Sequence, residues 1–206
     1  KNIPIVLAVV GSWLQPKANQ KVDFAGESIE RNKILSWGEL KEMQQSGLVE
    51  IASHSYHLHQ GIIANPQGNL EPAAISRIYH PHSKSYESDA DYQARIYQDL
   101  KKNNDLLKEH GIRSPRVMVW PYGRYNMQLI QTAKQLGMPI TITLDDGADH
   151  AKQSLQNMSR ILVQGNIQNQ TYYVYNEANP TELGTVRALN ASRDRVVLGS
   201  ALPTYF

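Results

Sequence analysis

The chain has 206 residues, 41% hydrophobic and 19% charged, at a formal net charge of +2; that is material for one domain with a sizeable core, and no basic run beyond Lys101-Lys102 exists to clamp nucleic acid. Zero Cys excludes a disulfide scaffold, a zinc ribbon and a thiol nucleophile, while leaving the compartment open. No apolar run reaches the roughly 18 residues of a membrane span, and the chain opens on Lys1 directly ahead of a strand-like run, as a processed or excised piece would.

Ile3 to Val10 is continuously apolar without alternation, the pattern of a strand covered on both faces in a parallel sheet. Gly11-Ser12 ends it. Ser36-Trp-Gly-Glu39 predicts a capping box, in which Ser36 and Glu39 satisfy each other's backbone donors. A short helix then runs through Ser46 with Leu40 and Met43 inward, and Gly47 supplies its left-handed stop. Leu48 to Ala52 is a second strand. Residues 60 to 87, rich in Gly, Pro, Asn, Ser and His, read as a long irregular insert that lines a site or moves. Ser88 caps the clearest helix; Tyr92, Ile96, Leu100 and Leu107 form its core stripe and Gly111 closes it. Arg116 to Trp120 is a third strand, broken by Pro121-Tyr-Gly123. A helix from about Met127 to Leu136 ends at Gly137, followed by strands at Ile140 to Leu144 and Arg160 to Val163. From Asn166 to Phe206 the periodicity is weak, and Tyr172-Tyr-Val-Tyr175 reads as edge-strand packing or as a sugar platform.

This alternation predicts an α/β fold, a parallel sheet with right-handed crossovers, either open or closed into a barrel. Function in such folds gathers at the carboxyl ends of the strands. Three polar clusters fall there: His54 to His59, Pro121 to Tyr125, and Asp145-Asp146. The first holds three imidazoles. On a helix His54 and His59 would stand about 140° apart, and on a strand they would point to opposite faces. A turn leaving the strand lets both reach one ion, for which neutral imidazoles suit zinc and other divalent transition metals. The alternative is a polar loop with one His capping backbone. Pro121-Tyr-Gly123 is either an ordinary turn or a wall that exposes N–H groups and stacks a sugar. Thr143-Leu-Asp-Asp-Gly147 reads first as a turn in which Asp145 or Asp146 bonds local backbone, and second as a ligand and base at a strand end. His80 and His82 read as solvent-exposed.

Val10-Gly-Ser-Trp13, Leu48-Val-Glu-Ile-Ala-Ser-His54 with His59, and Val119-Trp-Pro-Tyr-Gly123 together resemble the PgaB-type poly-β-1,6-N-acetylglucosamine N-deacetylases, polysaccharide deacetylases of carbohydrate esterase family 4. The resemblance runs from about Ile3 to Val163. It implies a distorted (β/α) barrel, here incomplete and missing its first strands, with a partial deacetylase domain over 1–165 and a divergent segment over 166–206. It further implies a divalent metal on two His and one Asp, with His54 and His59 in the histidine positions; zinc leads, with nickel, cobalt and iron as alternatives. Trp120, Pro121, Tyr122 and Gly123 match the substrate groove, where the Tyr backbone N–H helps hold the oxyanion. The implied reaction is hydrolysis of N-acetyl groups on an exported β-1,6-linked N-acetylglucosamine polymer, in the periplasm or cell envelope, with no nucleic-acid partner.

Family members carry a Phe-Asp-Asp strand, and upstream of it an acid His, ahead of the segment matching Ile3 to Val10. Neither motif occurs in this sequence, so base and acid are expected upstream of Lys1 and the chain alone is expected to be inactive or impaired. Asp146 is the candidate replacement ligand. The competing readings are a glycan-binding α/β domain without turnover, and a doubly wound α/β domain whose histidines are structural.

Overall fold

The computed structural model describes residues 4–24, 26–145, 149 and 154–160, and the backbone of 174–175 and 183–184. The opening apolar run forms β1 (Ile5–Val9), followed by a single turn, α1 (Gly11–Leu14). A hairpin of β2 (Lys21–Phe24) and β3 (Glu27–Glu30) comes next. α2 (Trp37–Gln45) starts on the capping box: the Glu39 N–H donates to Ser36 Oγ at 3.2 Å and the Ser36 N–H to Glu39 Oε2 at 2.7 Å. Leu40 is buried, Met43 half-buried, and Gly47 stops the helix at φ +72°. β4 (Val49–Ser53) runs one residue beyond the predicted strand end.

The segment predicted as irregular is built instead of two small hairpins, β5 (Gly61–Ile63) with β6 (Leu70–Pro72) and β7 (Tyr79–His80) with β8 (Ser85–Tyr86). It is pinned to the long helix α3 (Asp89–Glu109). The Arg95 guanidinium donates to both Glu87 oxygens, at 2.7 and 2.8 Å, and to the carbonyls of Ala73 and Ser76, each at 2.9 Å. Ser88 caps α3 and its predicted stripe is buried. β9 (Val117–Val119), α4 (Met127–Gln135) and β10 (Ile140–Ile142) follow, then a two-residue pair, β11 (Val174–Tyr175) with β12 (Leu183–Gly184). Tyr175 thus lies in a paired strand.

β1, β4, β9 and β10 form one parallel sheet in that order. Alternate residues divide between its faces: Leu7, Val9 and Ile51 pack with Leu40 and Leu107 of the helices, whereas Val6, Ala8, Ala52, Val117, Val119 and Ile142 cluster on the other face. Both faces are apolar, which is why β1 and β9 read as unbroken hydrophobic runs. Met158 bridges Ile142 in parallel; the strand expected from Arg160 to Val163 and the boundary at 165/166 lie outside the described residues beyond Arg160.

Candidate metal centre and groove

The His54 N–H extends the ladder by donating to the Val9 carbonyl at 2.9 Å. Its Nδ1 stands 2.6 Å from the Val119 carbonyl oxygen. A carbonyl has no proton to give, so Nδ1 carries the hydrogen and Nε2 keeps its lone pair. The chain then turns through Ser55 in the left-handed region, φ +70°, with the Leu58 N–H donating to Ser55 Oγ at 3.0 Å and Leu58 buried in the core. This turn returns the His59 ring to His54: the centroids lie 5.1 Å apart. Two imidazoles on one tetrahedral zinc, each bonded at about 2.1 Å, would have their centroids about 5 Å apart. The His59 Nδ1 is buried with no hydrogen-bond partner among the described residues, the mark of a nitrogen left for a further ligand. The two residues therefore fit a cation as two of its ligands.

Burial holds the His54 imidazole down to a pKa of about 3, reinforced by the neighbouring His59 and Arg160 charges and opposed by the Val119 bond. Burial also lowers His59, and the Arg160 charge adds to that lowering. Both rings are consequently neutral near pH 7, as metal ligands must be. His57 points elsewhere; it is exposed, with Nδ1 3.2 Å from Ser12 Oγ.

Around His59 stand Tyr122, with ring centroids 4.4 Å apart, and Trp13 at 5.2 Å, which in turn meets Phe24 of the β2–β3 hairpin at 4.3 Å. Pro121 to Gly123 is one tight 3₁₀ turn in which Tyr122 takes φ +56° and Gly123 φ +67°. A Cβ on Gly123 would fall 2.5 Å from Leu144 Cβ and 2.8 Å from its backbone nitrogen, so glycine is required by space as well as by φ.

Trp120 corrects an expectation. It is 0% exposed, packed with Leu58, Met118 and Leu129, so its indole supports the turn from beneath and presents no face for a sugar. Pro121 and Gly123 are likewise buried, and Tyr122 is half-buried. The aromatic rings beside His59 are instead those of Tyr122 and Trp13, with Phe24 against Trp13. Trp13 closes the Val10-Gly-Ser-Trp13 motif, and nothing in the sequence signals Phe24. The Asp145 carboxylate accepts from the Tyr125 hydroxyl at 2.9 Å, a side chain twenty residues away and not the local backbone of the turn reading. Asp146 lies outside the described residues. Among the described residues no third His, Asp or Glu joins the histidine pair. His80 and His82 are exposed, as expected.

The sequence profile of the family described as Polysaccharide deacetylase matches residues 1–141. The chain belongs to the polysaccharide deacetylase family. It is 37% identical over 163 residues to the poly-β-1,6-N-acetyl-D-glucosamine N-deacetylase of Escherichia coli, covering 79% of this chain and 24% of that protein, and so spans about a quarter of that relative's length. Among solved structures it resembles the BpsB deacetylase domain of Bordetella bronchiseptica, with TM-score 0.74 and 44% identity over 79% of this chain and 62% of the other. It also resembles a de-N-acetylase from Aggregatibacter actinomycetemcomitans, with TM-score 0.65 and 41% identity over 69% and 53%. These likenesses carry the open parallel sheet into the barrel fold class.

Proposed function

We propose that this chain supplies the cation-holding part and one groove wall of a metal-dependent N-deacetylase acting on poly-β-1,6-N-acetylglucosamine. The observation that carries the reading is the 5.1 Å spacing of the His54 and His59 rings beside the Tyr122 turn. His54 and His59 would hold the ion; zinc suits two neutral imidazoles, and nickel, cobalt and iron share that donor preference. When bound, the cation supplies Lewis-acid polarisation of the acetyl carbonyl and acidification of a water. The protein's own contributions are separate. The Val119 carbonyl fixes the His54 tautomer, the Tyr122 backbone N–H would serve as a donor to the developing oxyanion, and Trp13, Phe24 and Tyr122 would offer apolar faces to the sugar.

Among the described residues no third His, Asp or Glu joins the pair, and weak or absent turnover by the chain alone is part of the proposal. That same observation favours a second reading, glycan binding without turnover. The proposal places the site of action in the periplasm or cell envelope. The test is deacetylation of a β-1,6-linked N-acetylglucosamine oligomer with added zinc, beside binding of the same oligomer. Zinc-dependent binding or turnover lost in His54→Ala supports the metal reading; oligomer binding indifferent to zinc and to that substitution refutes it.

A further inference from the structure

The loop between the two histidines is held by a helix that the chemistry does not otherwise use. Asp99, in the middle of α3, accepts the Tyr56 N–H on Oδ1 at 2.8 Å and the His57 N–H on Oδ2 at 2.9 Å. Lys102, three residues on, places Nζ over the Tyr56 ring at 3.8 Å. The loop's carbonyls are taken as well: Ser55 O accepts from the Gly11 N–H at 3.2 Å, Tyr56 O from the Ser12 N–H at 2.9 Å, and His57 O from Gln60 Nε2 at 2.9 Å. A left-handed residue at Ser55 costs on the order of 1 kcal/mol and persists where surrounding bonds over-determine it. Asp99 supplies two of those bonds, and both fall between the residues whose ring separation defines the site.

We infer that Asp99 is a positioning residue: its carboxylate clamps the Tyr56 and His57 amides and thereby sets the separation of the His54 and His59 imidazoles for a divalent cation. This rests on the metal reading above. Asparagine at 99 keeps one acceptor and turns an amide NH₂ toward the other backbone N–H, so one donor loses its partner and the turn can relax. Groups that orient ligands without touching the metal typically change affinity 10- to 100-fold when replaced.

The test is zinc affinity of the full 206-residue chain, measured by competition with a chromophoric chelator, for the unmodified chain, Asp99→Asn, His54→Ala and Asp105→Asn. Asp105 lies on the same helix in an exposed ion pair with Lys101 and serves as control. Asp99→Asn is expected to bind zinc at least roughly 10-fold more weakly, with Asp105→Asn unchanged. Asp99→Asn within about 3-fold of the unmodified chain, while His54→Ala loses binding, overturns the role of Asp99 and leaves the metal reading standing. An unmodified chain that binds no more tightly than His54→Ala refutes the metal reading itself. Amide hydrogen exchange of the unmodified chain decides independently of how the variants fold: the Tyr56 and His57 amides should be protected to the level of strand residue Ile51, and exchange at unstructured rates would refute the clamp.

Discussion

Replacing Gly123 with alanine tests the physics of the groove turn directly. The residue sits at φ +67°, where a Cβ costs roughly 1–2 kcal/mol. The added atom would lie 2.5 Å from Leu144 Cβ and 2.8 Å from the Leu144 nitrogen. The second of these is backbone on the chain leaving β10 and cannot rotate away, and overpacking of this kind adds about 1–3 kcal/mol. Gly123→Ala should therefore lose about 2–5 kcal/mol, the sum of those two ranges. Gly137→Ala provides the internal control: it shares the positive φ, +84°, but its Cβ would meet nothing within 4 Å, so it should lose the backbone component alone. Urea titration of both variants, followed by far-ultraviolet circular dichroism, gives the two losses. Equal losses would refute the claim that Leu144 crowds the turn.

Three further outcomes follow from the packing. Ser36→Ala removes the hydroxyl that accepts the Glu39 N–H and should cost about 1 kcal/mol in the same titration; no loss would mean the capping box is idle. Leu100→Ala, at a position 0% exposed in α3, should cost about 2–5 kcal/mol, and a loss below that range would show that the core collapses around the gap. Burial alone would raise the Glu87 carboxyl, but its bonds to Arg95 and to the Ile78 N–H hold it below its ordinary 4.5. Its stabilisation is then complete above the unfolded-state pKa and lost as pH falls through the depressed folded value. Glu87→Gln should be less stable than the parent at pH 7, with the gap closing below about pH 4; a gap constant from pH 7 to pH 3 contradicts this.

The four sheet strands and three long helices were legible because their patterns are dictated by burial. Leu7, Val9 and Ile51 face the helices while Val6, Ala8 and Ala52 face the opposite side, so the run of β1 carries no polar interruption. The hairpins between residues 61 and 86 were not legible: their strands are two or three residues long, too short for alternation to register, and Arg95 organises them from 22 and 19 residues away, at Ala73 and Ser76. Trp120 was misjudged for a related reason. An aromatic residue beside a Pro-x-Gly turn looks the same in sequence whether it lines a groove or underlies it, and here packing against Leu58 and Leu129 decides the matter.

Asp99 and Asn103 show what such patterns hide. One turn apart on α3, they look like ordinary polar members of a charged helix, yet Asn103 is 0% exposed and its Nδ2 donates to Ser53 Oγ at 2.8 Å and to the Val9 carbonyl at 3.2 Å. Asn103 thus fastens the carboxyl ends of β1 and β4 while Asp99 fastens the loop that leaves them. Asn103 also explains the glycine of Val10-Gly-Ser-Trp13. Gly11 is helical and needs no positive φ, but a Cβ there would lie 2.3 Å from Asn103 Oδ1 and 3.0 Å from the Tyr56 ring. Its bareness leaves room for the Asn103 amide that reaches the strand ends. The loop between the two histidines is therefore held from two other stretches of sequence: the Gly11 N–H donates to the Ser55 carbonyl, and Asp99 accepts the Tyr56 and His57 amides.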